Sequence, residues 1–169
     1  MQTHRFFFSI FLALAGAAPA ICATYDALEI VPFNVPAEVN LPDDFKEALQ
    51  HGLVEQLQKT QLFSHVFLHG QKPDGAPDAS LRLTGSITTF NKGNRAERYV
   101  VGFGAGKTSL RAHIQFVDTA SGMVKFESDV EGKVTGYFKA FGGESKDAAD
   151  GLAKEVAKDA RKKFPIPVE

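Results

Sequence analysis

Apolar positions along this chain follow two periods, and the change from one to the other marks its elements. Ala27 to Phe33 reads as a first strand, with Leu28 and Ile30 on one face and Val31 and Phe33 on the other. Apolar residues on both faces imply a buried strand, and Pro32, which cannot donate to a ladder, belongs near its end. Phe45, Leu49, Leu53 and Leu57, with Ala48 and Gly52, then recur at helical spacing. Leu41-Pro42-Asp43-Asp44 opens this helix, Asp44 and Glu47 have capping-box spacing, and the end is expected near Thr60. Ser64 to His69 reads as a second strand, and Gln71 to Asp78, with two prolines and a glycine, as a surface loop.

Period two returns over Leu81 to Phe90, where Leu83, Gly85 and Ile87 share one face and Arg82, Thr84, Ser86 and Thr88 the other. Asn91 to Asn94 is a turn signal. Ser109 to Val117 and Met123 to Thr135 are the clearest strands. Leu110, Ala112, Ile114 and Phe116 point inward on one, and Val124, Phe126, Val130 and Val134 on the other. Asp118 to Gly122 joins them as a hairpin loop. Matching the apolar faces pairs Phe116 with Val124, which sets Arg111 opposite Asp129, His113 opposite Glu127, Gln115 opposite Lys125 and Lys107 opposite Lys133. A last helix spans Ser145 to Phe164, with Ala149, Leu152, Val156 and Ala160 on one face and Arg161, Lys162 and Lys163 in the final turn, as the helix dipole favours. The expected fold is α+β: a two-layer sandwich with a mainly antiparallel sheet of about five strands and two helices on one face.

The first residues stand apart from this pattern. His4 and Arg5 precede an uncharged run from Phe6 to Ala18, and small residues close the segment at Ala18-Pro19-Ala20 or Ile21-Cys22-Ala23. This is the layout of a secretory signal peptide, expected to cover residues 1–23 and to leave a single domain over 24–169. The run is too short for a transmembrane helix. Cleavage after Ala23 removes Cys22, cleavage after Ala20 retains it, and lipidation of Cys22 is a third route that would tether the domain to a membrane. The expected compartment is beyond the inner membrane, in the periplasm, with outer-membrane association as an extension. The chain has one cysteine, so an oxidising compartment offers it no disulfide.

Composition narrows function mainly by exclusion. The 169 residues carry 19 Lys and Arg against 20 Asp and Glu, a balance that gives no general reason to bind nucleic acid. GFGAGKT fails as a phosphate loop because Val101 stands where the first glycine belongs, and as a dinucleotide fingerprint because Lys107 stands where the third does. The GxxxG of Gly102 and Gly106 lies between Arg98 and Lys107 rather than in a long apolar helix. His65 and His69, four residues apart at ~3.3 Å each along a strand, are too distant to chelate one ion, though on a helix they could. His51 and His113 have no Cys or carboxylate set that completes a site. No Ser occupies a Gly-x-Ser-x-Gly elbow. No metal, no cofactor and no catalytic residue is expected, and a hydrolase would need a pocket of perturbed titratable groups that nothing here foreshadows.

One surface is suggested instead. The segments Tyr99 to Gly106 and Val134 to Gly143 should leave the sheet at the end away from the Asp118–Gly122 loop. They gather Tyr99, Gly102, Phe103, Gly104, Gly106, Tyr137, Phe138 and Phe141 with Arg95 and Arg98. Aromatics on glycine-rich backbone beside a basic rim suit a contact surface.

The stretch GNRAERYVVGFGAG, from Gly93 to Gly106, also resembles the hallmark of an uncharacterised family of bacterial envelope proteins, a domain of unknown function. The VPF that ends the first strand, QLFSHV, LTGSITTF, the FVDTASGMVKF hairpin and the terminal Ala- and Lys-rich helix agree with it. The strand-helix-strand start is similar to domains of curli-secretion lipoproteins and of the Tol-system translocation protein. The resemblance implies a secreted protein or lipoprotein with this fold and no assigned catalytic residues. The expectation is a non-enzymatic envelope accessory or assembly module acting through a protein partner or self-association at the glycine-aromatic end. The alternative is a periplasmic binding protein for an anionic glycan or lipid headgroup.

Overall fold

The computed structural model describes residues 25–92, 108–133 and 145–164. Within them, five strands and two helices follow one another: β1 (Ala27–Ile30), α1 (Asp43–Gln58), β2 (His65–Leu68), β3 (Leu81–Asn91), β4 (Ser109–Asp118), β5 (Val124–Lys133) and α2 (Ser145–Lys163). The strands form one open sheet in the order β2-β1-β3-β4-β5. It is mixed: β1 runs parallel to both β2 and β3, and β3, β4 and β5 are antiparallel. The fold is therefore the expected α+β class, with both helices packed on one face of the sheet.

Burial follows the two periods. Leu28, Ile30, Leu81, Leu83, Ile87, Leu110, Ile114 and Phe116 meet Phe45, Leu53, Leu57, Leu152, Val156 and Ala160 in a single core. β1 is central in the sheet, which is why a four-residue strand has no exposed position. Its ladder to β3 continues past the strand end, with Val31 N donating to Leu83 O (2.9 Å) and Asn34 N to Gly85 O (2.9 Å), on either side of Pro32. One edge of the helix layer is set by glycine. A β-carbon on Gly132 would fall inside the backbone of α2 at Ala148 and Leu152, and Gly151 in turn leaves room for Lys133.

Three local expectations are corrected. α1 begins two residues earlier than a capping box on Asp44 and Glu47 requires. Pro42 is the N-cap and offers no side-chain bond, while Asp43 in the first turn pairs with Lys46 at 2.8 Å. The β4–β5 register is shifted by two residues from Phe116–Val124: Phe116 faces Phe126, Arg111 faces Glu131, His113 faces Asp129, Gln115 faces Glu127, and Ser109 rather than Lys107 faces Lys133. A bulge beside Phe116 and Val117 then brings Val117 opposite Val124. Val124, expected inward, is accordingly turned out to solvent. The loop explains the shift. Asp118 accepts from Ser121 N (2.8 Å) and Ser121 Oγ (2.7 Å), Gly122 N closes on Asp118 O at 2.8 Å, and Gly122 takes a φ of 70°. That φ costs a glycine nothing. A second bulge, between Ile87 and Thr89, interrupts the clean alternation expected of Leu81 to Phe90, so that Thr89 faces Arg111, Phe90 faces Leu110, and the Phe90 ring packs on Phe45 at 4.7 Å.

Candidate functional site

The face of the sheet away from the helices is a lattice of ionic and polar pairs. Glu29, in the middle of β1, is 9% exposed. Its carboxylate lies between Nδ1 of His69 (2.6 Å) and Nε of Arg82, which donates to it at 2.7 Å. Arg82 is its register partner on β3. Burial works to raise the pKa of Glu29, but the hydrogen bonds from His69 and Arg82 outweigh it and leave the carboxyl below its ordinary range. His69 opens the connection from β2 to β3. Because both strands run parallel to β1, this connection must return the length of the sheet; Phe67 on β2 and Ala76 in the connection are both buried outside the main core cluster. The Glu29 cluster therefore ties that connection to the centre of the sheet.

The remaining pairs are cross-strand. His113 Nδ1 lies 2.9 Å from Asp129, Gln115 Nε2 donates to Glu127 at 3.1 Å, and Arg111 is 3.3 Å from Glu131. Lys133 also bonds Glu131 at 2.9 Å; this ammonium, with Arg111, holds the Glu131 carboxyl below its usual range. His65 and His69 lie on either side of Phe67, at and just past the ends of β2. Among the described residues, no three His, Cys, Asp or Glu side chains converge as metal ligands would.

The two ends of the sheet differ. At one end the flanks of the segments outside the described residues come together: Asn91, Ser109 and Lys133 are neighbours across three strands, and Thr108 Oγ1 donates to Lys92 O at 2.9 Å. Arg95, Arg98, Tyr99, Gly102, Phe103, Gly104, Gly106, Tyr137, Phe138 and Phe141 all lie outside the described residues. At the other end Phe164, just past α2, packs edge-on against Tyr25, Phe63 and Phe116. Nearby, an open groove of about 400 Å³ between the C-terminal halves of α1 and α2 is lined by Lys59, Lys154, Lys158, Arg161 and Lys162. Asp150 beside Lys154 and Glu155 beside Lys158 hold both ammonium groups above the usual lysine range. A second, apolar cavity of about 90 Å³ lies under the β1–α1 connection, between Phe33, Leu41, Leu49 and Ile87.

Sequence reasoning did not single out Glu29. The available signal was an acid in the middle of an otherwise apolar strand, which demands a partner once the strand is central. It also placed Val124 inward, because the alternating pattern that it follows is interrupted by the bulge.

These features define a two-layer α+β domain with an open mixed sheet whose polar face is internally paired. The chain belongs to the family described as a domain of unknown function, DUF4410, whose model matches residues 37–142. That range includes the GNRAERYVVGFGAG stretch on which the family resemblance rested. No curated protein matches the chain in sequence. Solved structures of similar fold include the PelC dodecamer from Paraburkholderia phytofirmans (15% identity over 79% of this chain and 87% of that one, TM-score 0.53). The hypothetical protein CT253 from Chlamydia trachomatis is also similar (9%, 84% and 99%, 0.53), as is the protein XCC0632 from Xanthomonas campestris, of family DUF330 (7%, 84% and 85%, 0.51). At such identities the likeness is one of fold. No helix among the described residues is long and apolar enough to cross a membrane.

Proposed function

We propose that this protein is a non-catalytic module of the cell envelope that works by associating with copies of itself or with an envelope protein. The association would use the end of the sheet from which residues 93–107 and 134–144 depart. The observation that carries this reading is the meeting of their flanks at Lys92, Thr108 and Lys133. In this reading the two glycine- and aromatic-bearing segments act together beyond those flanks and make no demand on the polar face of the sheet, where Glu29, His113 and Glu131 have partners. The fold is also compatible with assembly, since a protein of similar fold forms a dodecamer. In this reading Tyr99, Phe103, Tyr137, Phe138 and Phe141 supply contact area, and Arg95 and Arg98 supply its charged margin.

The test is the molar mass of the protein released gently from the envelope, by size-exclusion chromatography with light scattering. A multiple of the chain mass, or a heteromer, supports the assembly reading. A monomer with no co-eluting partner sinks it and turns the search to anionic glycans and headgroups.

A further inference from the structure

We propose that the opposite end of the domain, carrying Tyr25, the β4–β5 hairpin and the C-terminus of α2, rests on an anionic bilayer surface through Met123 and Val124. Three independent features meet there.

The first is apolar exposure. Among the described residues the exposed large hydrophobic side chains are Met123 at 61% and Val124 at 46%, adjacent in sequence at the hairpin. Met123 closes the hairpin, its carbonyl accepting from Asp118 N at 2.9 Å, and Val124 opens β5; nothing in the fold requires an apolar pair there, and the bulge that pairs Val117 with Val124 is what turns Val124 outward. Adjacent exposed apolar side chains where a hairpin loop meets its strand are suited to shallow insertion among headgroups.

The second is charge. Lys163 holds its ammonium over the Phe126 ring, 5.3 Å from the centroid, and Arg161 donates to the Lys59 carbonyl at 2.9 Å. Neither makes an ion pair with a described carboxylate. Lys125 follows Val124 directly and is 3.9 Å from Asp118, and Lys59, Lys158 and Lys162 line the groove on the same end, each already paired with an acid (Glu55, Glu155 and Asp159), so that Arg161 and Lys163 carry the local excess of positive charge. Cations in the last turn of α2 also complement its dipole, but the dipole asks nothing of the hairpin, where the apolar pair and Lys125 sit. A small local excess of positive charge at the same end of the domain as an exposed apolar pair is the combination an anionic surface attracts, weakly, reversibly and with salt dependence.

The third is attachment. The Tyr25 hydroxyl donates to Asp118 in this hairpin at 3.2 Å, and its ring packs edge-on with Phe164 at 5.8 Å. The chain that precedes Tyr25 therefore joins the domain at this end, while residues 93–107 and 134–144 join it at the other. A bilayer seat at the hairpin leaves the far end directed away from the membrane.

The chain contains no tryptophan, so Val124→Trp is a single reporter at the tip. Glu38→Trp, at an exposed position in the β1–α1 connection, is its counterpart at the far end. Each variant of the whole chain is mixed with vesicles of phosphatidylglycerol and phosphatidylcholine, or of phosphatidylcholine alone, containing brominated acyl chains. The expected result is a blue-shifted Val124→Trp emission quenched several-fold more than that of Glu38→Trp, on anionic vesicles and not in high salt. In co-sedimentation, Met123→Asp/Val124→Asp should lower the bound fraction of the otherwise unaltered chain about tenfold. Equal or greater quenching of Glu38→Trp would overturn the proposal, as would no quenching at either position or equal sedimentation of the double variant. A chain held only by its upstream segment would sediment with vesicles of either charge and leave both tryptophans unquenched, which also overturns it. The molar mass in solution does not bear on this outcome.

Discussion

Gly132 on β5 lies directly beneath the backbone of Leu152 on α2, so close that a β-carbon at position 132 would overlap the Leu152 amide nitrogen and the Ala148 carbonyl oxygen. Helix and strand meet here main chain to main chain, and neither backbone can give way without moving the whole element. Gly132→Ala is expected to destabilise the domain by about 1–3 kcal/mol, the cost of overpacking a close-packed interior. Gly132→Val should cost more. An unchanged urea midpoint for Gly132→Ala would show that the helix does not sit where the structure puts it.

Glu29 should govern the acid limb of stability. Its carboxyl is held below the ordinary range in the folded protein, so folding favours the ionised form. The stability that this contributes is fully present above the unfolded value of about 4.3 and is lost as pH falls through the lower folded value. Glu29→Gln removes the charge that Arg82 and His69 share. It is expected to cost about 1.5–3 kcal/mol near pH 7, as for a hydrogen bond to a charged group. Denaturant titrations at pH 7 and pH 2.5 check this, and a difference from the parent that does not shrink at the lower pH would contradict it.

The hairpin register can be read by coupling. Arg111 pairs with Glu131, not Asp129. A double-mutant cycle on Arg111 and Glu131 should give about 0.2–1 kcal/mol, the range for exposed cross-strand pairs. The corresponding cycle on Arg111 and Asp129 should give close to zero. The reverse ranking would restore the pairing expected from sequence.

Replacing Gly102, Gly104 and Gly106 together by Val is expected to leave secretion intact and abolish the oligomer in light scattering. Normal assembly of that variant would count against the glycine-aromatic end as the contact. If the protein instead binds an anionic envelope ligand there, Arg95→Ala and Arg98→Ala should reduce a salt-sensitive affinity without changing the molar mass.

Much of the fold was legible in the sequence, because burial is one-sided for most elements and one-sided burial writes a period. The stripe Phe45, Leu49, Leu53, Leu57 and the face Leu110, Ala112, Ile114, Phe116 are buried as that period requires. The candidate contact surface was readable only as composition, and Arg95 to Gly106 and Tyr137 to Phe141 lie outside the described residues.

What periodicity could not carry was relative position. A two-residue slip between β4 and β5 keeps every side chain on its face, so Phe116–Val124 and Phe116–Phe126 satisfy the same pattern. The choice falls to the hydrogen bonds of Asp118 and the left-handed backbone of Gly122. In the same way, ALEI says that β1 is buried but not that it lies parallel to two neighbours. Only that placement brings Glu29 beside Arg82, and a partially buried carboxylate beside a guanidinium and an imidazole becomes a tie rather than a penalty. The sequence by itself determined which faces are buried, since transfer of apolar surface from water depends on residue type. The tertiary structure decided which strands and charges meet, because register, bulges and close backbone approach depend on hydrogen bonds and sterics between residues far apart in the chain.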